Sequence, residues 1–495
     1  MPKQFVFIMT DTQRTDMVSC YENTGLHTPC IDALAAEGIK FNKAYSVQPV
    51  CGPARSAIFT GQYPCLNGVF TNCAAPGLNV KTIGQRLSDR GIRTAYIGKW
   101  HLDGGDYFGL GVAPEGWDAD AWYDMRNYLE ELTEEERRYS RSKNWDTATA
   151  PLPEFTFAYR VASRARKYIH DHANEDFFLV VSFDEPHGPS LCPAPYAEMY
   201  KDYVLPKRPN VYDTLENKPD HQKIWAGQRR FTDRESLRIT SPRFFGCNSF
   251  VDEQIGRVVE AVDALPGTPA VLYTTDHGAM LESHCLTAKG PAAYEEICHV
   301  PMILKGFGPG ECSTPVSHID LVPTIWDYFG FKAPMLMQGE SLLPLLHSGT
   351  TRRDVFIEFG RYETDHDGFG GFQPMRCIFD GRFKLVLNLL SQDELYDLEQ
   401  DPYEMTNRID DSACAQIRNE LHARLLEHMN AVRDPLRGYY WECRPWNRNA
   451  AAPSWDYTGC TRQKEEPDYE KEPLDYATGM PVTALVRHKK MSVST

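Results

Sequence analysis

The sequence predicts an α/β protein with a large mixed, mainly parallel sheet sandwiched by helices and a smaller C-terminal α+β subdomain. Three observations support this fold class. Apolar runs of strand length alternate with helical patterns through most of the chain. Four of these runs end in ionisable residues, and two further runs, FKLVLNLL (383–390) and ELYDL (394–398), follow a short polar segment. With 495 residues, 42% of them hydrophobic, the chain is long enough for two or three domains.

Four apolar runs predict buried strands of the large sheet. They are FVFIMTD (5–11), TAYIGKWH (94–101), FFLVVSFDEPH (177–187) and AVLYTTDHG (270–278), and each ends in polar, ionisable residues. In open α/β sheets, ligands bind at the carboxyl ends of the strands. We therefore expect the ionisable side chains at these strand ends to converge on one crevice. They are Asp11, Lys99, His101, His187, Asp276 and His277.

The segments between and after these strands predict helices and connections. CNSFVDEQIGRVVEAVDAL (247–265) repeats apolar residues at helical spacing and predicts a core-facing crossover helix. IDALAAEG (31–38) ends in the glycine that commonly stops a helix. YLEELTEEERRYSRSKNW (128–145) is charged throughout and predicts an exposed insertion. LLHSGTTRRD (345–354) predicts a linker.

Composition and charge narrow the classes of function. A formal net charge of −16 argues against nucleic acid as a partner, and no run approaches the roughly 18 apolar residues of a membrane span. The N-terminal MPKQFVFIMTD lacks the pattern of a secretory signal, so the sequence predicts no membrane association and a cytoplasmic location. The 14 cysteines show no CxxC pair or repeated spacing, which predicts mostly reduced, structural thiols.

One cysteine has an unusual sequence context. In VCGPARSAIFTGQYP (50–64), Pro53 suits the first turn of a helix, so Cys51 is expected just before a helix N-terminus. That position favours a negative charge and lowers the pKa of a thiol. Taken alone, the pattern fits a buried or capping cysteine as well as a reactive one.

The pattern C-G-P-A-R-S-A-x-x-T-G that begins at Cys51 resembles the signature of the type I sulfatases, which belong to the alkaline phosphatase superfamily. Further segments resemble the same family, in family order, from the first strand into the second domain. They are TDTQRTDMVSCY, HTPCIDALAAEGIKF, GKWHL, PHGP, TTDHG with Lys289 beyond it, YEEICHVPMIL and DELYDLEQDPYEMTN. The resemblance implies an alkaline phosphatase-like fold. We expect a catalytic domain over 1–350, a C-terminal subdomain over 351–435 and a tail over 436–495 that packs on both domains.

The resemblance implies hydrolysis of a sulfate ester to an alcohol and inorganic sulfate. In this family a maturation enzyme converts the signature cysteine to formylglycine, whose hydrate attacks sulfur and later expels sulfate, a step that serine cannot perform. By resemblance, Arg55 and Lys99 contact the diol or the sulfate, and His101 is the base that collapses the intermediate. His187 and Lys289 bind the ester and protonate the leaving oxygen.

The resemblance also implies one divalent metal ion, held by Asp11, the formylglycine at position 51, Asp276 and His277. The family commonly has two adjacent acids after the first strand, whereas Thr12 follows Asp11 in this chain. One carboxylate charge is therefore lost, and the Thr12 hydroxyl is the expected ligand in its place. Calcium prefers an all-oxygen shell, whereas a nitrogen ligand and fewer carboxylates favour manganese, so Ca²⁺ and Mn²⁺ both stay open.

Three further functions stay open. Phosphonate monoester and phosphodiester hydrolases of the same superfamily also use formylglycine, although they typically have Tyr and Thr at the positions of Lys99 and His101. Asn72 aligns with an asparagine that contacts the substrate anion in the phosphonate group; here it binds substrate or caps a turn. The second function is non-catalytic binding of sulfated ligands, and the third is hydrolysis by the unmodified Cys51 thiol. The nearly complete set of catalytic positions argues against these last two.

The sequence does not identify the substrate. Specificity is expected from the loops RYETDHDGFGGFQP (361–374) and GYYWECRPWNRN (438–449), whose aromatic residues either stack on a sugar ring or pack in a core. We expect a small sulfated substrate, such as a sulfated sugar or an aryl or alkyl sulfate. The formylglycine-generating maturation enzyme is the expected protein partner, and oligomerisation stays open.

Overall fold

The computed structural model describes residues 2–143, 145, 150–334, 336–346, 353–448, 474 and 476–480. The described strands are β1 (Gln4–Asp11), β2 (Gly38–Phe41), β3 (Ala44–Tyr45), β4 (Arg93–Gly98), β5 (Phe177–Pro186), β6 (Ala270–Thr275), β7 (Met302–Lys305), β8 (Gly310–Cys312), β9 (Val316–Ser317), β10 (Val355–Arg361), β11 (Phe372–Phe379), β12 (Phe383–Asn388) and β13 (Glu394–Asp397). The described α-helices are α1 (Pro29–Glu37), α2 (Cys51–Thr60), α3 (Pro64–Asn67), α4 (Ile83–Ser88), α5 (Met125–Glu130), α6 (Glu134–Ser140), α7 (Phe157–Asp171), α8 (Tyr196–Met199), α9 (Asp220–Ala226), α10 (Pro242–Asp263), α11 (Glu295–Cys298), α12 (Leu321–Tyr328), α13 (Ala415–Ala431) and α14 (Tyr439–Glu442).

The large sheet has the strand order β4-β5-β1-β6-β7-β2-β8. Its strands β4, β5, β1 and β6 run parallel, whereas β7 is antiparallel to both of its neighbours. The four apolar runs predicted as strands are confirmed as these four parallel neighbours. Every residue of β1, β5 and β6 is buried, because helices cover both faces of the sheet. The carboxyl ends of the four strands therefore lie side by side at one edge.

Two layers of helices cover the sheet. On one face, α1, α7 and α10 contribute Leu34, Val161 and Ile255 to a common core with β1 and β5. On the other face, α2, α4 and α12 bury apolar side chains such as Phe59 and Ile325. This three-layer arrangement confirms the predicted fold class.

Two helix predictions are confirmed with small shifts. The crossover helix α10 begins at Pro242, five residues before the predicted start, because Pro is accommodated in the first turn of a helix. Helix α1 ends at Glu37 as predicted. Gly38, however, has an extended conformation with φ of −118° and begins β2, so the helix ends by passing directly into a strand.

The prediction of one exposed insertion over 128–145 is confirmed only in part. The segment lies in two short helices, α5 and α6, separated at Thr133, whose side chain caps α6. Tyr128, Leu132 and Trp145 are buried in the large core, whereas most of the charged residues of the segment are exposed. The high charge content of the segment did not predict that these three side chains are buried. Residues 144 and 146–149 lie outside the described residues.

The C-terminal part forms a four-stranded antiparallel sheet in the order β10-β11-β12-β13. The predicted strands FKLVLNLL and ELYDL are confirmed as β12 and β13. One face of this sheet packs against α13, and the other packs against residues before position 300. The predicted linker over 345–354 lies largely outside the described residues, and the domain boundaries stay predictions.

Trp441 and Arg444, in the predicted tail, contact the C-terminal sheet. Trp441 is buried beside α13, and Arg444 pairs with Asp393 at 2.6 Å. Most of the tail beyond residue 448 lies outside the described residues, so packing across both domains stays a prediction. None of the described helices is both long and apolar enough to cross a membrane.

Candidate active site

Helix α2 places Cys51 at the centre of the crevice formed by the strand ends. Its N-cap residue, Val50, is extended, and Pro53 lies in the first turn as predicted. Cys51 is the first residue of the helix, one position later than expected, and its side chain is buried. All ten residues of α2 are buried, so the surrounding protein fixes the position of this thiol.

Three side chains from different segments surround the Cys51 sulfur. Lys289 Nζ lies 2.8 Å from Sγ, His277 Nε2 3.2 Å, and Asp11 Oδ1 3.8 Å. Burial and Asp11 both raise the pKa of the thiol, but Lys289, His277 and Lys99 outweigh them and lower it to about 5. The site therefore stabilises negative charge at position 51.

Two fully buried cations connect the strand ends. Arg55 donates to Asp11 Oδ2 at 3.2 Å and to Asp276 Oδ2 at 3.0 Å, and Lys99 Nζ lies 2.8 Å from Asp11 Oδ2. Arg55 also donates to the Lys99 carbonyl oxygen and to Ser182 Oγ. These contacts hold the carboxylates in place, and the expected contact between Arg55 and the diol at position 51 stays a prediction.

Asp11, Cys51, Asp276 and His277 offer ligand atoms that lie within 4.8 Å of one another, and all four are buried. Burial and the neighbouring Asp11 raise the pKa of the Asp276 carboxyl to about 6, so the two acids repel each other when no cation lies between them. Two carboxylates and one imidazole nitrogen, with the side chain at position 51, form a donor set that fits a divalent cation such as Ca²⁺ or Mn²⁺.

Thr12 lies directly beside this cluster. Its hydroxyl donates to Asp11 Oδ1 at 2.6 Å, and its backbone N–H points to Asp276 Oδ1 at 3.3 Å. Its φ of 64° is rare for a β-branched residue and marks local backbone strain. The structure thus places Thr12 as a hydrogen-bond partner of the acids, and its role as a metal ligand stays a prediction.

The two predicted catalytic histidines differ in their contacts. Burial and the Lys99 charge lower the pKa of His101 to about 3, and its Nδ1 is buried without a hydrogen-bond partner among the described residues. Burial and Lys99 also lower the pKa of His187, to about 4. His187 Nδ1 lies 2.9 Å from the Tyr107 hydroxyl. Both imidazoles are therefore neutral near pH 7 before substrate binds.

Sequence reasoning missed Asp184 and Tyr107. Lys99 Nζ lies 3.0 Å from Asp184 Oδ1 and 4.0 Å from the centre of the Tyr107 ring, and Tyr107 donates to Asp184. Asp184 ends the same apolar run as His187, so the strand-end pattern contained its signal. Tyr107 lies in an irregular segment where no sequence pattern marked it.

Asn72 connects α2 to the C-terminal part of the chain. Its Oδ1 accepts the Gly52 N–H at 2.9 Å, and its Nδ2 donates to Glu363 Oε1 at 2.9 Å. Both ends of the amide are therefore occupied by protein groups, and its predicted contact with substrate stays a prediction. Glu363 lies in the predicted specificity loop 361–374, but no pattern singled it out.

Comparisons with known proteins agree with this arrangement. A sequence model of the Sulfatase family matches residues 3–331, and one described as N-sulphoglucosamine sulphohydrolase, C-terminal, matches residues 291–431. The uncharacterized sulfatase YidJ of Escherichia coli (strain K12) is 44% identical over 98% of this chain and 98% of its own. A choline-sulfatase of Rhizobium meliloti (strain 1021) is 26% identical over 89% of this chain and 90% of its own.

Among solved structures, the phosphonate monoester hydrolase of Agrobacterium radiobacter superposes with a TM-score of 0.71 at 21% identity, over 87% of this chain and 96% of that one. This likeness shows the shared alkaline phosphatase-like fold. The family match covers the strands and helices that carry the buried charges around Cys51, which defines the chain as a sulfuric ester hydrolase. The chain belongs to the Sulfatase family.

Proposed function

We propose that this protein hydrolyses the sulfate ester of a small alcohol, with formylglycine at position 51 as the source of the nucleophile and one divalent metal ion. The observation that carries the proposal is the convergence of Lys289, His277 and Asp11 on Cys51 Sγ, which stands where the formylglycine oxygens would lie. When bound, the metal ion supplies Lewis-acid polarisation of the ester and of the hydrated aldehyde.

The buried cations account for stabilisation of the transition state. A sulfate ester develops negative charge on its sulfuryl and leaving-group oxygens as the ester bond breaks. Lys99 is fully buried and Lys289 is 6% exposed, so their charges act through protein rather than through water. Arg55 holds both Asp11 and Asp276 and thereby keeps the metal-ligand set in position.

The neutral histidines account for the proton transfers. His101 Nδ1, which no described residue contacts by a hydrogen bond, is available to accept a proton from a hydroxyl at position 51. Tyr107 orients His187 through Nδ1. The negative charge of a bound ester favours protonation of His187, which then acts with Lys289 as the donor to the leaving oxygen.

The proposal includes a small sulfated substrate, because one relative is named for choline sulfate. It also includes a formylglycine-generating enzyme as a partner and a cytoplasmic location, both of which rest on the sequence. The proposed metal ion is Ca²⁺ or Mn²⁺, because both accept the carboxylate and imidazole ligands that Asp11, Asp276 and His277 offer.

The test is the mass of the tryptic peptide AYSVQPVCGPAR, residues 44–55, from protein produced together with a formylglycine-generating enzyme and left unalkylated. We expect the aldehyde at position 51 and turnover of 4-nitrophenyl sulfate that a Cys51→Ala variant lacks. An unmodified thiol in active protein would contradict the proposed nucleophile. Faster turnover of a phosphonate monoester than of any sulfate ester would favour a phosphonate hydrolase instead.

A further inference from the structure

The loop that follows β10 lies beside the candidate active site. The Asn72 backbone N–H donates to the Tyr362 carbonyl oxygen at 3.1 Å, and the Asn72 side chain joins Glu363 to the Gly52 N–H. Burial raises the pKa of the Tyr362 phenol, and the charges of Lys289 and Cys51 act on it as well. This loop is therefore joined through Asn72 to Gly52, the residue that follows position 51.

Glu363 keeps acceptor capacity that the described residues do not use. Its Oε1 accepts from Asn72 Nδ2 at 2.9 Å, and its Oε2 lies 3.5 Å from His366 Nδ1. An ionised carboxylate has about four lone-pair sites, so roughly half of them stay free. The side chain of Glu363 is 32% exposed, which leaves these sites open towards the solvent.

Tyr362 and His366 complete a polar group of three side chains with Glu363. Their rings pack against each other with centroids 4.4 Å apart and planes inclined at 44°. The Tyr362 hydroxyl makes no hydrogen bond with any of the described residues. The group thus combines a fixed carboxylate with a phenol and an imidazole, which both donate and accept hydrogen bonds.

We propose that Glu363, supported by Tyr362 and His366, determines substrate specificity by accepting hydrogen bonds from hydroxyl groups of a sugar-like, polyhydroxylated leaving alcohol. This inference rests on the proposed function, because it assigns the alcohol side of the same sulfate ester. Two hydroxyl groups on neighbouring carbons can each donate a hydrogen bond to one oxygen of the same carboxylate. An alcohol without such hydroxyl groups would leave the partly buried Glu363 carboxylate unpaired and would therefore bind less well.

A quaternary ammonium alcohol is the competing substrate class, because the Glu363 carboxylate would attract its positive charge. Recognition of such a group uses several aromatic faces arranged around the cation. Here the polar group supplies only two rings, those of Tyr362 and His366, and they contact each other with their planes inclined at 44°. Directional hydrogen bonding therefore fits this loop better than a cation cage.

The experiment measures kcat/KM of the full-length, formylglycine-bearing chain on glucose 6-sulfate, choline sulfate and 4-nitrophenyl sulfate. Glu363→Ala is compared with Glu135→Ala, which removes the same carboxylate at an exposed position of α6. We expect Glu363→Ala to lower kcat/KM for glucose 6-sulfate on the order of 10- to 100-fold, the effect of losing a hydrogen bond to a charged group. Its effect on 4-nitrophenyl sulfate should be about 10-fold smaller than its effect on glucose 6-sulfate, and Glu135→Ala should change kcat/KM for glucose 6-sulfate by no more than about 3-fold.

Each other result has a distinct meaning. An equal loss of activity on all three esters in Glu363→Ala and in Glu363→Gln would show that Glu363 only positions Asn72, and it would overturn the inference. A wild-type preference for choline sulfate that Glu363→Ala abolishes would overturn it in favour of a cationic alcohol. Absence of turnover of every sulfate ester by the wild type would instead overturn the proposed function.

Discussion

Individual buried charges decide the chemistry at position 51. Lys99 illustrates this, because its ammonium group contacts Asp11 and Asp184 at once, and both acids raise its pKa well above the usual value despite burial. A lysine so placed stays charged at every working pH. The histidines beside it stay neutral for the converse reason, since burial next to a cation disfavours a second positive charge.

His101→Ala separates the two halves of the proposed reaction. If His101 accepts the proton that allows sulfate to leave, the variant should release about one equivalent of alcohol per active site and then turn over at least ~100-fold more slowly than the wild type. Rapid-mixing measurement of 4-nitrophenol release shows this burst. His170→Ala, at an exposed position, is the control. Unimpaired steady-state turnover in His101→Ala would contradict the assigned role.

Glu185 predicts a pH dependence of stability. It follows Asp184 in β5; burial and the Asp184 charge raise its pKa from 4.5 to about 8. Above pH 4.5 the unfolded chain loses this proton while the folded chain keeps it, so the free energy of unfolding falls as the pH rises towards 8. At 1.36 kcal/mol per pH unit, the cost reaches about 3 kcal/mol by pH 7.

Glu185→Gln should remove this cost, because the amide mimics the neutral acid and keeps an acceptor for the Ala158 N–H. Urea unfolding at pH 5 and pH 7.5 measures it: the variant should gain about 2–3 kcal/mol over the wild type at pH 7.5 and little at pH 5. Glu198→Gln, at an exposed position, is the matched control. A gain that is equal at both pH values would rule out this linkage.

At the scale of elements, the closely spaced ends of parallel strands position the site. Gly98 ends β4 with φ of +126°, and a Cβ atom there would lie 1.8 Å from the Ser182 carbonyl oxygen of β5. Lys99 follows directly, and its N–H donates to that same oxygen at 2.8 Å. The absence of a side chain at Gly98 therefore allows β4 to place Lys99 beside Asp11.

Gly98→Ala should destabilise the protein by about 3 kcal/mol or more, because it adds a steric clash to the strain of a positive φ. Gly91→Ala, just before the same strand, is the matched control: it also has a positive φ of +78°, but nothing lies within 4 Å of its added Cβ. It should cost only about 1–2 kcal/mol. Chemical unfolding of both variants measures the difference, and equal destabilisation would exclude the clash as the cause.

The sequence predicted the elements with strong local signals. The four parallel strands and the helices α1 and α10 followed from apolar periodicity, and the strand-end rule brought Asp11, Lys99 and Asp276 together correctly. Local patterns did not predict contacts between distant segments. Asn72 meets Glu363 across 291 positions and Tyr107 meets His187 across 80, and neither pairing leaves a periodic trace. The burial of Trp145 and Leu132 was not predicted for a similar reason. A few apolar side chains are enough to attach a mostly charged segment to the core, and they form no periodic pattern.

At the scale of the whole molecule, a buried ion pair joins the C-terminal sheet to the rest of the chain. Lys384 of β12 is fully buried and contacts Glu295 at 2.7 Å and Glu404 at 2.8 Å. Burial raises the pKa of Glu404 to about 7, with Glu295 adding to the effect and Lys384 opposing it. Glu295 begins α11, six residues after Lys289, so a docking contact of this sheet and a residue of the site belong to one short segment.

Lys384→Met should therefore destabilise the whole chain by about 3–5 kcal/mol, since it removes the cation that pairs with the buried Glu404 and the partly buried Glu295. The loss should be smaller at pH 5 than at pH 8, because the uncompensated acids are protonated at the lower pH. Glu404→Gln in the same chain should restore part of the stability by removing one of the charges. Tryptophan fluorescence, far-UV circular dichroism and enzymatic activity should be lost at one common urea concentration, since the core shared by β10–β12 and α11 couples the two parts. Separate loss of the C-terminal structure, with activity on 4-nitrophenyl sulfate retained, would show instead that the sheet folds as an independent unit and that Lys384 stabilises it alone.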